Sequence, residues 1–61
     1  MIQEARVVQT ANKLMRALDD EAVYEILMQA NGCLASGDLT GRDFWCRVQD
    51  FVEETQGRGH A

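Results

Sequence analysis

The stretch MRALDDEAVYE, residues 15–25, decides how this chain folds. Apolar residues recur at helical spacing on both sides of it. Either Asp19 and Asp20 end one helix and cap the next, or a single long helix runs through them. Asp is a favoured N-cap, and an acid at Glu21 suits the positive end of a helix dipole. Read that way, the pair separates two helices. Yet no Gly or Pro lies between residues 5 and 31. The alternative is therefore a long two-helix hairpin, which hides its apolar face only by dimerising.

Upstream, Val7, Ala11, Leu14 and Leu18 recur at i, i+4, i+7 and i+11, flanked by Val8 and Met15. Such a stripe marks one face of an amphipathic helix. Ile2 lies off it, so the first few residues are expected to fray. The opposite face carries Arg6, Gln9, Lys13 and Arg16. Downstream, Val23, Ile26, Leu27, Ala30 and Leu34 form a second seam. Asn31-Gly32 is a frequent helix stop, but Leu34 keeps the phase. The second helix is thus expected to reach about Ser36, with Gly37 just beyond its end; a stop at Gly32 is the alternative. Since Leu27 falls in this seam, a charge there is expected to weaken folding and assembly together.

The next segment, LASGDLTGRDFWCRV at residues 34–48, reads as a helix end, a tight loop and a restart. Thr40 is the expected N-cap, with Asp43 three residues on in a capping-box spacing. Leu39 would then staple onto Phe44. The third seam is Phe44, Val48, Phe51, Val52 and Thr55, with Trp45 on its shoulder. The predicted fold is all-α: a small antiparallel up-down-up bundle of three helices over residues 1–56. Each helix of 15 to 17 residues would span about 25 Å at 1.5 Å per residue. Residues 57–61, which contain Gly57, Arg58, Gly59 and His60, are expected to form a disordered tail.

A chain of 61 residues makes one domain at most. A domain of this size buries only about 60% of the surface its unfolded chain exposes. Its stability is thin without a disulfide, a metal or a partner subunit. An apolar fraction of 46% excludes a wholly disordered chain. Cys33 and Cys46 are too few for a disulfide framework. There is no basic segment followed by an apolar run at the start, and no apolar stretch near the roughly 18 residues of a membrane span. The chain is expected to be cytoplasmic, with reduced thiols and no membrane contact.

Little here is suited to bond-making, and no enzyme, cofactor or metal is expected. His60, the one His, lies between two small residues near the end, where it cannot be held in catalytic geometry. Two Cys and one His fall short of a zinc site with closely spaced ligand pairs. Consecutive acids such as Asp19, Asp20 and Glu21 point in different directions on a helix and cannot grip one cation.

Charge is unevenly spread. Residues 1–18 carry Arg6, Lys13 and Arg16 against Glu4, whereas residues 19–56 carry nine acids against Arg42 and Arg47. Three functional readings follow. In the first, the chain is a non-catalytic protein-interaction module or small regulatory protein that self-associates through helix faces. Tyr24, Met28 and Trp45 are its candidate partner contacts, because they lie at the edges of the core seams, and aromatics and Met are interface material. The chain itself is the expected partner, as a homodimer or larger, with another protein a further candidate. In the second, an acidic inhibitor fills a basic groove on another protein, as some small phage or plasmid proteins do. In the third, a nucleic-acid-binding regulator uses the basic face Arg6, Lys13 and Arg16. The third is disfavoured, because three cations stand against a net charge of −4.

Overall fold

A computed structural model describes residues 4–58. Helix α1 spans Glu4–Leu18, a 3₁₀ turn covers Asp19–Glu21, α2 spans Ala22–Ser36 and α3 spans Leu39–Arg58. The fold is all-α: among the described residues only Gly37 and Asp38 lie outside a helix.

The chain does break at the acidic pair, although not by side-chain capping. Neither Asp19 nor Asp20 caps α2, and the residue that opens it, Glu21, makes no side-chain cap hydrogen bond. Instead Asp19 takes a left-handed conformation, φ 51°. Asp tolerates that region better than most residues do, because its short polar side chain can bond locally. One such residue ends α1 and redirects the backbone. The Asp19 carbonyl accepts the Ala22 N–H and also the Gln56 side-chain amide at 3.1 Å. That second bond ties the turn to the far end of α3. At the other end of α1, Glu4 meets Arg47 at 3.9 Å. Taken together, the two ties make α1 and α3 run in the same sense.

The second helix ends as its sequence predicts. Gly37 is left-handed, φ 80°. Its N–H donates to the Leu34 carbonyl at 3.2 Å, and the Asp38 N–H donates to the Cys33 carbonyl at 2.8 Å. This is the Schellman arrangement, in which only glycine carries no side-chain penalty. Gly32 lies within the helix and does not stop it.

The third helix starts earlier than predicted. Asp38, not Thr40, is its N-cap: Asp38 Oδ1 accepts the Gly41 N–H at 2.9 Å. Leu39 is then the first helical residue rather than the one before the cap, so the expected Leu39–Phe44 staple has no place, and Leu39 is exposed. Gly41 makes this cap possible. A Cβ there would collide with Asp38 Oδ2 and would sit 2.9 Å from Cys33 Sγ. Asp38→Ala and Gly41→Ala should each cost about 1 kcal/mol, the usual worth of a cap. Because both break the same bond, the double variant should cost little more than the worse single in urea denaturation. Additive losses would show that Gly41 matters for another reason. At its other end α3 runs to Arg58, so residues 57 and 58 are helical rather than tail. Met1, Ile2 and Gln3, with Gly59, His60 and Ala61, lie outside the described residues.

Both α1 and α2 pack on α3, and they make few contacts with each other. The core between them is small: Val7 and Ala11 from α1, Ala22, Ile26 and Ala30 from α2, Val48 and Val52 from α3. Leu14, Met15, Leu18, Val23, Phe44, Trp45 and Phe51 are half-buried against it. The seams of α1 and α3 follow prediction, except that Thr55 is exposed. The α2 seam does not. Leu27 and Leu34, predicted to be core, are exposed, and Ala22 takes a buried place instead. Apolar residues cover most of the circumference of α2, so periodicity alone could not choose a side. With α3 as its principal neighbour, α2 turns Ala22 and Ala30 inward, where small side chains allow close approach, and leaves the larger leucines outside.

Candidate interaction surfaces

Four large apolar side chains stand out on α2: Tyr24 is 66% exposed, Leu27 42%, Met28 55% and Leu34 53%. At 100° per residue they share one side of the helix with Asn31 and Ala35. The spacing that brings Tyr24 to Leu27 and Met28, and Leu27 to Leu34, is the i, i+3, i+4, i+7 pattern of a docking face. No Asp, Glu, Lys or Arg occurs from Ile26 to Gly37, and Glu25, the one charged residue of α2, falls on another side of the helix. Such a helix, apolar nearly all round, is ordinarily covered on more than one side.

The candidate contacts read from sequence divide here. Tyr24 and Met28 are one turn apart on the open face of α2. Trp45 is on α3, half-buried against the core, with its ring edge-to-face with Phe44 (centroids 5.4 Å apart, planes at 82°). Leu27 and Leu34 belong to the same open face, though sequence reasoning placed them in the core. The signal that could have found them is the long run without charge.

The opposite character appears on α1. Arg6, Lys13 and Arg16 are all exposed. Gln9, Asn12, Lys13, Arg16 and Ala17 line a shallow depression along this helix. Among the described residues these three cations take part in no ion pair; Glu4 pairs with Arg47 instead. The basic face is therefore not neutralised by the acids of α2 and α3. Elsewhere, exposed side chains are bridged along the helix, Gln29 to Glu25 at 3.2 Å and Gln49 to Glu53 at 2.6 Å.

Cys33 and Cys46 are free thiols, and both are half-buried. Among the described residues no three His, Cys, Asp or Glu side chains are grouped to hold a metal ion. No helix there is long and apolar enough to cross a membrane. The chain matches no family model, and no curated protein or solved structure shows significant similarity to it.

Proposed function

We propose that this chain is a small, non-catalytic, cytoplasmic interaction protein, an up-down-up bundle of three helices that self-associates through the outward face of α2. The observation that carries this reading is the exposed set Tyr24, Leu27, Met28 and Leu34 on one side of α2, most of it within the charge-free run from Ile26 to Gly37. Contiguous apolar patches beyond a few hundred Å² on a soluble domain mark contact sites. A core of four larger aliphatics and three alanines leaves this domain short of stability, and burying a second face in an oligomer supplies more. Light scattering over a range of concentrations tests it. The mass should rise from the 6.9 kDa of one chain toward twice that value. A mass fixed at 6.9 kDa up to millimolar concentration would reject self-association.

A second reading rests on the unpaired cations of α1. Arg6, Lys13 and Arg16, with the amides of Gln9 and Asn12, form a stripe that contacts a polyanion without losing any internal pair. Weak binding to duplex DNA at low salt, abolished as salt rises, would support it.

A further inference from the structure

We infer that the turn at Asp19 is an exchange hinge, through which α1 of one copy leaves its own α3 and takes the same place on α3 of a second copy. The exchange uses none of the open face of α2 and stands independently of the reading above.

A single backbone conformation folds α1 back onto α3. Asp19 is left-handed, φ 51°, which is unfavourable for every residue but glycine. No side chain caps the turn or the helix that follows it, so no cap fixes the break. With Asp19 right-handed, α1 and α2 join as one helix from Glu4 to Ser36, about 50 Å long. The sequence suits that form as well. No Gly or Pro lies between residues 5 and 31. The inward residues Val7, Ala11, Leu14, Leu18, Ala22 and Ile26 follow one another every three or four positions, straight across the turn. An apolar stripe that keeps helical phase through a break fits both conformations. A short hinge under strain is the setting in which copies exchange an element.

Packing decides which element moves. The most extensive contact in the molecule is between α2 and α3, whereas α1 rests on α3 and touches α2 little. Straightening the hinge therefore keeps α2 on α3 and lifts α1 away. That uncovers Val7 and Ala11, both fully buried, together with the side of α3 on which α1 rests. The α1 of another copy re-covers that side with the same contacts. Because α1 and α3 run in the same sense, the two long helices of an exchanged pair are antiparallel, and their hinges meet at the two-fold axis. There Asp19, Asp20 and Glu21 of both copies stand together. Their repulsion favours the closed chain at low salt, and salt weakens that restraint.

Substitutions at Asp19 test the hinge with opposite expected signs. Asp19→Gly relieves the left-handed strain and weakens the continuous helix, and Asp19→Ala does the reverse. Each variant is refolded at high concentration and high salt, equilibrated, diluted and sized by gel filtration with light scattering. A pair held through the α2 face separates on dilution. An exchanged pair must first unfold α1 from the other copy, so it persists. Each pair contains two hinges, so the persistent dimer should have a dissociation constant at least ~100-fold lower in Asp19→Ala than in Asp19→Gly. If Asp19→Ala is too strained to fold alone, its helicity by circular dichroism should return as concentration rises. Equal persistence in the two variants, no persistent dimer in either, or an Asp19→Ala chain unfolded at every concentration would overturn the exchange. Those results leave pairing through the α2 face standing, since both variants retain that face. Persistent dimers without any dilution-sensitive pairing would support the exchange and reject the α2 reading.

Discussion

Ile26→Ala should leave most of the chain unfolded. Ile26 is the largest fully buried side chain, with no exposed surface. It stands where α2 meets Val48 and Val52 in the core. Truncating such a residue to Ala costs about 2–5 kcal/mol, the transfer term plus the cavity left behind. A single core in a domain this small supplies roughly 3–5 kcal/mol in total. The variant thus consumes most or all of the margin. Helicity by circular dichroism should fall by more than half in dilute buffer. The neighbouring Leu27→Ala is the control. It is 42% exposed, and at concentrations where the chain is monomeric it should cost less than about 1 kcal/mol. Equal losses at the two positions would mean that the inward side of α2 is not the Ala22–Ile26–Ala30 side.

The contrast between these two residues shows what pattern reading reaches and where it stops. On α1 the apolar residues occupy one side and the polar residues the other, so Val7, Ala11, Leu14 and Leu18 could be assigned without knowing their neighbours. The same holds for Phe44, Val48, Phe51 and Val52 on α3. Gly37 was readable because a helix that must end in a left-handed residue has few better choices. Leu27 and Leu34 were not, because a helix apolar nearly all round has two possible inward sides, and only packing on α3 selects one. Thr40 looked the better cap for an equally local reason. Asp38 wins because Gly41 leaves room for its carboxylate, and that depends on Cys33 from the preceding helix. At Asp19 the acidic pair correctly marked a break, but backbone conformation rather than a side-chain cap produces it. As for the candidate surface, Tyr24 and Met28 were visible as residues at the edge of a seam. Their joining with Leu27 and Leu34 into one open face required the structure.

Leu27→Glu should abolish assembly while leaving the fold intact, separating two properties that a core position would couple. In one copy the new carboxylate projects from an exposed site into water, so helix content and the urea midpoint at low concentration should stay near those of the parent. In the pair it lies within the covered face, uncharged from Ile26 to Gly37, where it has no cation to meet and must shed its water. A symmetric interface repeats the change on both sides. Even about 1.5 kcal/mol per copy weakens pairing by more than 100-fold. Light scattering should then give a single mass of 6.9 kDa at concentrations where the parent is dimeric. Lys13→Glu, on the opposite side of the molecule's charge pattern, distinguishes the two surfaces. It should leave the dimer mass unchanged, and it should remove any low-salt binding to duplex DNA by reversing one of three unpaired cations on α1. If Leu27→Glu instead melts the helices while Lys13→Glu dissociates the dimer, assembly runs through α1, and the open side of α2 belongs to the fold.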